Sequence, residues 1–129
     1  MNGFLQDEFR ANASKLHKRI FTIVKSAFPS WAWKQETAIK VSNNKTLFVD
    51  ICSNTPIKIA IECHGRQHSE YVAHFHGDIL AFKKAVARDK EKKEFLIESG
   101  YDFVEFYTNE NLSDKEVIER VLLKIKEEV

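Results

Sequence analysis

Apolar side chains recur every three or four positions over residues 13–28, which is the spacing of one face of a helix. Asn12 or Ser14 stands at the start of this segment as a capping residue, and Pro29 follows it as a helix stop. The pattern therefore predicts an amphipathic first helix.

Two strands are predicted next, over residues 31–41 and 46–52, with a turn at residues 42–45 between them. The second strand alternates, so that one face carries Leu47, Val49 and Ile51 and the other carries Phe48, Asp50 and Cys52.

The stretch IKIAIECHGRQH, residues 57–68, combines a strand pattern with candidate chemistry. Its strand alternates Ile57, Ile59, Ile61 and Cys63 with Lys58, Ala60 and Glu62. Alternation places Glu62 and His64 on the face opposite the isoleucines, and Gly65 ends the strand. A carboxylate and an imidazole on one side of a strand end are suited to acid–base chemistry.

The length of the connection between the second and third strands decides whether Asp50 lies beside Glu62. A two-residue loop at Asn54 and Thr55 would turn Asp50 to the isoleucine face. A three-residue loop would place Asp50 diagonal to Glu62, about 7–8 Å away at Cα, and a five-residue loop would place them directly opposite. A shared site therefore requires the longer loop.

A long helix over residues 78–98, a Gly100 stop and a strand over residues 102–107 are predicted next. The apolar members of that helix are Ile79, Phe82, Val86, Phe95 and Leu96. Ser113 and Glu116 have the spacing of a capping box and begin a closing helix. The order αβββαβα predicts an α/β fold with a mixed four-stranded sheet flanked by helices.

Composition indicates one globular domain spanning residues 1–129. The chain is 43% hydrophobic, which excludes a disordered chain. No apolar run approaches the ~20 residues of a membrane span, and the first residues lack the order of a signal peptide. Two cysteines, Cys52 and Cys63, are too few for a disulfide scaffold, so we expect reduced thiols in a cytoplasmic protein.

The net charge is only +1, but the charges are unevenly distributed. Eight basic residues lie between positions 10 and 45 with Glu36 as the single acid. A second basic cluster, in the long helix, contains Lys83, Lys84, Arg88, Lys90, Lys92 and Lys93. This polarity fits a phosphate-facing side, and ordinary solvated helix faces are an equal alternative.

Asp50, Glu62 and His64 form the strongest candidate site in the sequence. Two carboxylates from neighbouring strands, with the main-chain carbonyl of Cys63 between them, make an oxygen-rich site suited to Mg²⁺ or Mn²⁺. His64 beside such an ion is placed to act as general base on a bound water. The alternative is that these are ordinary solvent-facing strand residues.

The segments FVD, IECHGRQH and ARDKEKKEFLIESGYDFVEFY resemble the core of the PD-(D/E)xK nucleases. More narrowly they resemble the branch of the very short patch repair endonucleases and the EDxHD phage homing endonucleases. The similarity covers residues 14–107 and implies a restriction-endonuclease-like core. By this resemblance Asp50 is the central metal-binding aspartate, Glu62 is the acid of the (D/E)xK triplet, and His64 stands in place of its lysine.

The same resemblance implies a second active-site histidine at His68 and a further catalytic aspartate at Asp89. The first-helix glutamate of the family appears here as His17, unless Glu8 takes that place. The repair enzymes insert aromatic residues after the glycine, where this chain has Arg66 and Gln67, and they hold a zinc ion with cysteines that this chain lacks. Very short patch mismatch repair is therefore not implied.

The activity implied is that of a Mg²⁺- or Mn²⁺-dependent DNA endonuclease that hydrolyses phosphodiester bonds with metal-bound water. A free-standing phage-type homing nuclease and a DNA-processing nuclease acting as a homodimer both fit. Contacts with DNA are expected from Arg66, Gln67, Lys83, Lys84, Arg88, Lys90 and Lys93.

Two other functions stay open. The first is a nuclease-like module that binds nucleic acid without cutting it. The second is a small zinc-dependent hydrolase or zinc-stabilised binding module, because five potential ligands lie within fourteen positions. These are Cys63, His64, His68, His74 and His76.

Overall fold

The part of the chain that the computed structural model describes, residues 14–41, 44–65 and 79–126, contains three helices and four strands. The helices are α1 (Lys15–Ala27), α2 (Ile79–Glu98) and α3 (Asp114–Lys126). The strands are β1 (Trp33–Lys40), β2 (Thr46–Ser53), β3 (Ile59–His64) and β4 (Asp102–Tyr107). The predicted order αβββαβα is confirmed.

Ser14 is the N-cap of helix α1, and its Oγ accepts a hydrogen bond from the backbone N–H of His17 at 3.0 Å. It ends at the cap residue Phe28, directly before Pro29, as the sequence predicts. Its buried face contains Ile20, Phe21, Ile23 and Val24. The fifth buried residue of this helix is His17, which is only 4% exposed and lies one turn before Phe21.

The strands form one sheet in the order β1-β2-β3-β4. The first three pair antiparallel, and β4 joins β3 in parallel after the crossover through α2. One core cluster joins the sheet to α1 and α3 through residues that include Ile20, Phe21, Val24, Ile51, Ile59, Ile61, Val117 and Val121. A second cluster joins it to α2 through Val49, Cys52, Ala60, Leu96 and Phe103. The mixed sheet flanked by helices is thus confirmed.

The two hairpin connections have equal length. Lys40 pairs with Thr46 and Ser53 pairs with Ile59, so each connection contains five residues, 41–45 and 54–58. The longer loop that a shared Asp50–Glu62 site requires is therefore present. A tight two-residue turn, which would have turned Asp50 to the isoleucine face, is not formed.

The alternation of β2 differs from the sequence prediction at its centre. Ile51 packs in the cluster of α1 and α3, whereas Val49 packs with Cys52 in the cluster of α2. The prediction that Val49 and Ile51 share a face is therefore wrong. The irregularity coincides with Glu36 of β1, whose φ of 51° lies in the left-handed region and interrupts the regular pleat beside Asp50.

Helix α2 contacts the core only near its C-terminal end. Leu96 is its single buried residue, while Ile79 and Val86 are 53% and 43% exposed. The helix stops before Gly100, whose φ of 89° suits a glycine. Helix α3 begins with the predicted capping box, because Ser113 Oγ accepts from the Glu116 N–H at 3.2 Å and the Glu116 carboxylate accepts from the Ser113 N–H at 2.9 Å.

The sequence also predicts reduced thiols and no membrane span. Cys52 and Cys63 are free thiols. No helix in the described ranges is both long enough and apolar enough to cross a membrane.

Candidate active site

Four acidic residues lie in one row across the sheet, one on each strand. Gln35 pairs with Ile51 and Thr37 pairs with Val49, which places Glu36 of β1 opposite Asp50 of β2. Ile51 pairs with Ile61, and continuing this pairing by one residue places Asp50 opposite Glu62 of β3. Glu62 in turn pairs with Glu105 of β4. Like charges directly opposite each other destabilise a sheet, so this acidic row (Glu36, Asp50, Glu62 and Glu105) requires compensating contacts.

Asp50 and Glu62 hold each other's strands through their carboxylates. Glu62 Oε2 accepts a hydrogen bond from the backbone N–H of Asp50 at 2.8 Å, and Asp50 Oδ2 accepts one from the N–H of Cys63 at 2.9 Å. Burial and the neighbouring charge of Asp50 raise the pKa of Glu62 to about 7. The pair is therefore brought together as the sequence predicts, in a geometry that side-chain-to-backbone bonds fix.

Lys92 of α2 supplies a cation to this pair. Its Nζ lies 2.7 Å from Glu62 Oε1, and the two side chains are 14% and 5% exposed. The ammonium group lowers the pKa of Glu62, but burial and Asp50 outweigh it. In the sequence, Lys92 stands out only as a member of a basic cluster. Its position four residues before the buried Leu96, on the same helix face, is the signal that distinguishes it.

Toward the β1 end of the row, Asp50 lies beside Glu36 and His17. The potential ligand atoms of these three side chains are all within 4.8 Å of one another. His17 Nε2 lies 2.8 Å from Oε1 of Gln35, which is fully buried. With that amide oxygen as acceptor, Nε2 carries the proton and Nδ1 keeps a lone pair.

Glu36 is a site residue that the sequence pattern did not single out. Two signals point to it. It is the single acid among eight bases, and five-residue connections on both sides of β2 place it in register with Asp50 and Glu62. Its left-handed backbone costs about 1–2 kcal/mol for a residue with a side chain, and such conformations concentrate at functional sites.

His64 lies in a network around Glu105. Its Nε2 is 3.0 Å from Glu105 Oε2, which also accepts from the Tyr107 hydroxyl at 3.2 Å, while Lys93 Nζ lies 3.1 Å from Oε1. The hydrogen bond with His64 is the largest cause that lowers the pKa of Glu105 to about 2. Asp89 of α2 lies near enough for its charge to raise the pKa of Tyr107. This arrangement holds the imidazole of His64 in place.

The basic residues of α2 other than Lys92 are exposed to solvent. Lys83, Lys84, Arg88 and Lys90 are exposed, and Lys93 is half-exposed beside Glu105. A groove of about 370 Å³ runs between α2 and the connection of β1 to β2, lined by Lys45, Lys84, Ala87, Arg88 and Glu91. Three of its five lining residues are basic, and one, Lys45, is paired with Glu91 at 2.8 Å.

Several predicted site residues lie outside the described residues. They are Glu8, Arg66, Gln67, His68, His74 and His76. The predicted roles of Arg66, Gln67 and His68, and the zinc site that would include three of these histidines and Cys63, stay predictions.

Compared with protein-family models, with curated proteins and with solved structures, the chain matches none. The nuclease family therefore stays a resemblance carried by the sequence motifs.

Proposed function

We propose that this protein is a metal-dependent endonuclease that hydrolyses phosphodiester bonds in DNA. The observation that carries the proposal is the acidic row with Asp50 at its centre, joined on one side to His17 and Glu36 and on the other to Glu62. Carboxylates that lie opposite each other on neighbouring strands repel, and a divalent cation bound between them relieves that repulsion.

The donors around Asp50 fit a divalent ion such as Mg²⁺ or Mn²⁺. Two carboxylates and an imidazole nitrogen converge within 4.8 Å. Both oxygens of Glu62 already accept hydrogen bonds, from Asp50 and Lys92, so Glu62 acts in this arrangement by holding β2 and Lys92 in place. When bound, such an ion polarises the phosphate and lowers the pKa of a coordinated water.

His64 is suited to be the proton acceptor. In the tautomer with its proton on Nε2, that N–H donates to Glu105 Oε2 at 3.0 Å, and Nδ1 is then the basic nitrogen of the ring. The Glu105 carboxylate, with its low pKa, stays ionised at neutral pH and stabilises the imidazolium that forms. Glu105 is therefore a positioning residue for His64, which sequence analysis did not identify.

DNA would approach over the exposed basic face of α2. Lys84 and Arg88 lie one turn apart on the groove between α2 and the β1–β2 connection. Lys83, Lys90 and Lys93 extend the positive charge along the same helix. Contacts of this kind position a phosphate backbone and carry no sequence information. The proposed enzyme thus obtains its register on DNA from α2 and its chemistry from the sheet.

Plasmid nicking tests the proposal. The purified chain is incubated with supercoiled plasmid and Mg²⁺ or Mn²⁺, beside Asp50→Asn, His64→Ala and the control Glu119→Gln on an exposed face of α3. We expect nicking by the wild type and the control, and a loss of roughly 100-fold or more in both site variants. Equal activity in all four proteins would identify a contaminant and refute the proposal.

One observation favours a second candidate, a nuclease-like module that binds nucleic acid without cutting it. In the described residues every buried side-chain polar atom has a hydrogen-bond partner, so the site is satisfied as it stands. Retained DNA binding with no nicking under any metal would establish this function. A homing role and a DNA-processing role both require the cleavage activity, so the nicking assay precedes any choice between them.

A further inference from the structure

We propose that His17, Glu36 and Asp50 are the protein ligands of one divalent ion, and that the imidazole makes this site prefer Mn²⁺ to Mg²⁺. The inference specifies the metal of the nuclease proposed above. It differs from the sequence expectation, in which Asp50, Glu62 and the Cys63 carbonyl held the ion. Its test is metal binding, which does not depend on cleavage.

The three side chains come from three elements that the fold brings together. His17 lies on α1, Glu36 on β1 and Asp50 on β2. Bonds of about 2.1 Å to one ion place neighbouring ligand atoms about 3.0 Å apart and opposite ones about 4.2 Å apart. The ligand atoms all lie within 4.8 Å of one another, so side-chain movements of about 1 Å bring them to these spacings.

Gln35 provides the support that a histidine ligand needs. Metal-binding histidines almost always donate the second ring nitrogen to an acceptor, which fixes the tautomer and the ring plane. His17 Nε2 meets Gln35 Oε1 at 2.8 Å, where Gln35 is fully buried and His17 is 4% exposed. A buried glutamine that orients a buried histidine toward two carboxylates is a built arrangement, since a histidine that only fills the core needs no such neighbours.

Charge within the acidic row favours an ion at this end of it. Lys92 pairs with Glu62 and Lys93 pairs with Glu105, so two of the four carboxylates have ammonium partners from α2. Glu36 and Asp50 lie at the other end, where a ligand atom of His17 lies within 4.8 Å of both carboxylates. Two carboxylates this close together attract a divalent cation.

The donor set determines the preferred metal. Mg²⁺ binds chiefly carboxylate and water oxygens and accepts nitrogen poorly, whereas Mn²⁺ takes both carboxylate and imidazole ligands. A site with one imidazole and two carboxylates should therefore bind Mn²⁺ more tightly, and loss of the imidazole should remove most of that difference.

Calorimetric titration with Mn²⁺ and with Mg²⁺ tests the inference on the wild type, His17→Gln, Glu36→Gln and the control Glu119→Gln. We expect wild type and control to bind Mn²⁺ roughly tenfold or more tightly than Mg²⁺. His17→Gln should weaken Mn²⁺ binding roughly 10- to 100-fold and Mg²⁺ binding much less, while Glu36→Gln should weaken both. Equal wild-type affinity for the two ions would overturn the proposal, and so would unchanged Mn²⁺ affinity in both site variants.

Electron spin-echo envelope modulation of the Mn²⁺-loaded protein identifies the nitrogen directly. Coupling to a directly bound imidazole ¹⁴N is expected in the wild type and should be lost in His17→Gln. Coupling that survives this substitution would assign the ligand to another histidine and overturn the proposal. Should His17→Gln fail to fold, as judged by circular dichroism, the Glu36→Gln titration carries the test. Tight Mn²⁺ binding without nicking would support this metal site and would refute only the nuclease proposal.

Discussion

Glu62 accepts a hydrogen bond from the backbone N–H of Asp50, while Asp50 accepts one from the N–H of Cys63, next to Glu62. Each carboxylate thus binds the main chain of the opposite strand. The two bonds hold two acids face to face in the partly buried centre of the sheet, where repulsion would otherwise separate them. Burial, together with this enforced proximity, raises the pKa of Glu62 to about 7.

Folding stability should fall between pH 4.5 and pH 7 because of Glu62. Its folded pKa of about 7 lies above the ordinary value of 4.5, so the folded state binds the proton more tightly. The associated stability is fully present below pH 4.5 and is lost as pH rises through 7. The shift corresponds to at most about 3 kcal/mol.

Urea denaturation from pH 4.5 to 8 without metal measures this contribution. The wild-type free energy of unfolding should decrease over the range more than that of Glu62→Gln, which cannot ionise there. Glu119→Gln, altered on an exposed part of α3, serves as control and should follow the wild type. Parallel curves for wild type and Glu62→Gln would contradict the prediction.

Replacing Lys92 by methionine should destabilise the protein most at high pH. At pH 8 the substitution leaves Glu62 ionised and buried without its ammonium partner, a change that typically costs about 3–5 kcal/mol. At pH 5 Glu62 is protonated, and the loss should be about 1.5 kcal/mol, as for one hydrogen bond between an ammonium group and an uncharged carboxyl.

The double variant Lys92→Met, Glu62→Gln separates charge from packing. With no carboxylate to neutralise, it should regain most of the stability that Lys92→Met loses at pH 8, as measured by urea denaturation. A loss of equal size at pH 5 and pH 8, or a double variant no more stable than Lys92→Met, would show that Lys92 acts through packing alone.

The sequence was sufficient for the elements and for the set of alternative pairings between Asp50 and Glu62. Period-2 alternation located β3, helical spacing located α1, and the alternative loop lengths could be enumerated in advance. The choice among those lengths depends on how the chain packs between β2 and β3. Only the structure showed that Ser53 pairs with Ile59 and that the five-residue loop forms.

The partners of the acidic row were beyond a strand-by-strand analysis. Glu36 stands where regular alternation breaks, because its left-handed φ turns the pleat of β1 and Val49 changes face on β2. Lys92 reaches Glu62 across the space between α2 and the sheet, a distance of 30 positions along the chain. Contacts of this kind depend on helix rotation and depth, which periodicity alone does not define.

Glu105 should protect the fold against acid until well below its ordinary pKa. Its folded pKa of about 2 lies below 4.5, chiefly because it accepts a hydrogen bond from His64. The stability it contributes is present above pH 4.5 and is lost as pH falls toward 2. In Glu105→Gln this acid-dependent part should disappear, at a cost at neutral pH of about 1.5–3 kcal/mol for hydrogen bonds to a charged group.

Circular dichroism during urea unfolding at pH 2.5, 4.5 and 7 measures how the free energy of unfolding differs between wild type and Glu105→Gln. Wild type and Glu105→Gln should converge as the pH falls, since protonation removes the charge that the substitution removes. A constant gap across the three pH values would assign the effect to packing around Tyr107 and not to the ionised carboxylate.

The groove beside α2 should determine how DNA affinity depends on salt. Lys84 and Arg88 line it together with Lys45, and the exposed side chains one turn apart on α2 suit successive contacts with a phosphate backbone. Each phosphate contact releases condensed counterions, so the plot of log affinity against log salt loses about 0.9 in slope for each contact removed from duplex DNA. We expect Lys84→Ala and Arg88→Ala each to reduce the slope by about 1 and to weaken binding to unrelated sequences equally.

Fluorescence anisotropy with two labelled duplexes, between low and moderate NaCl and with Ca²⁺ in place of Mg²⁺ to suppress cleavage, measures both quantities. Lys115→Ala, which removes an exposed lysine from α3, is the matched control and should leave the slope unchanged. A reduction in Lys115→Ala as large as in Lys84→Ala would mean that DNA responds to net charge alone, and α2 would lose its assignment as the binding face.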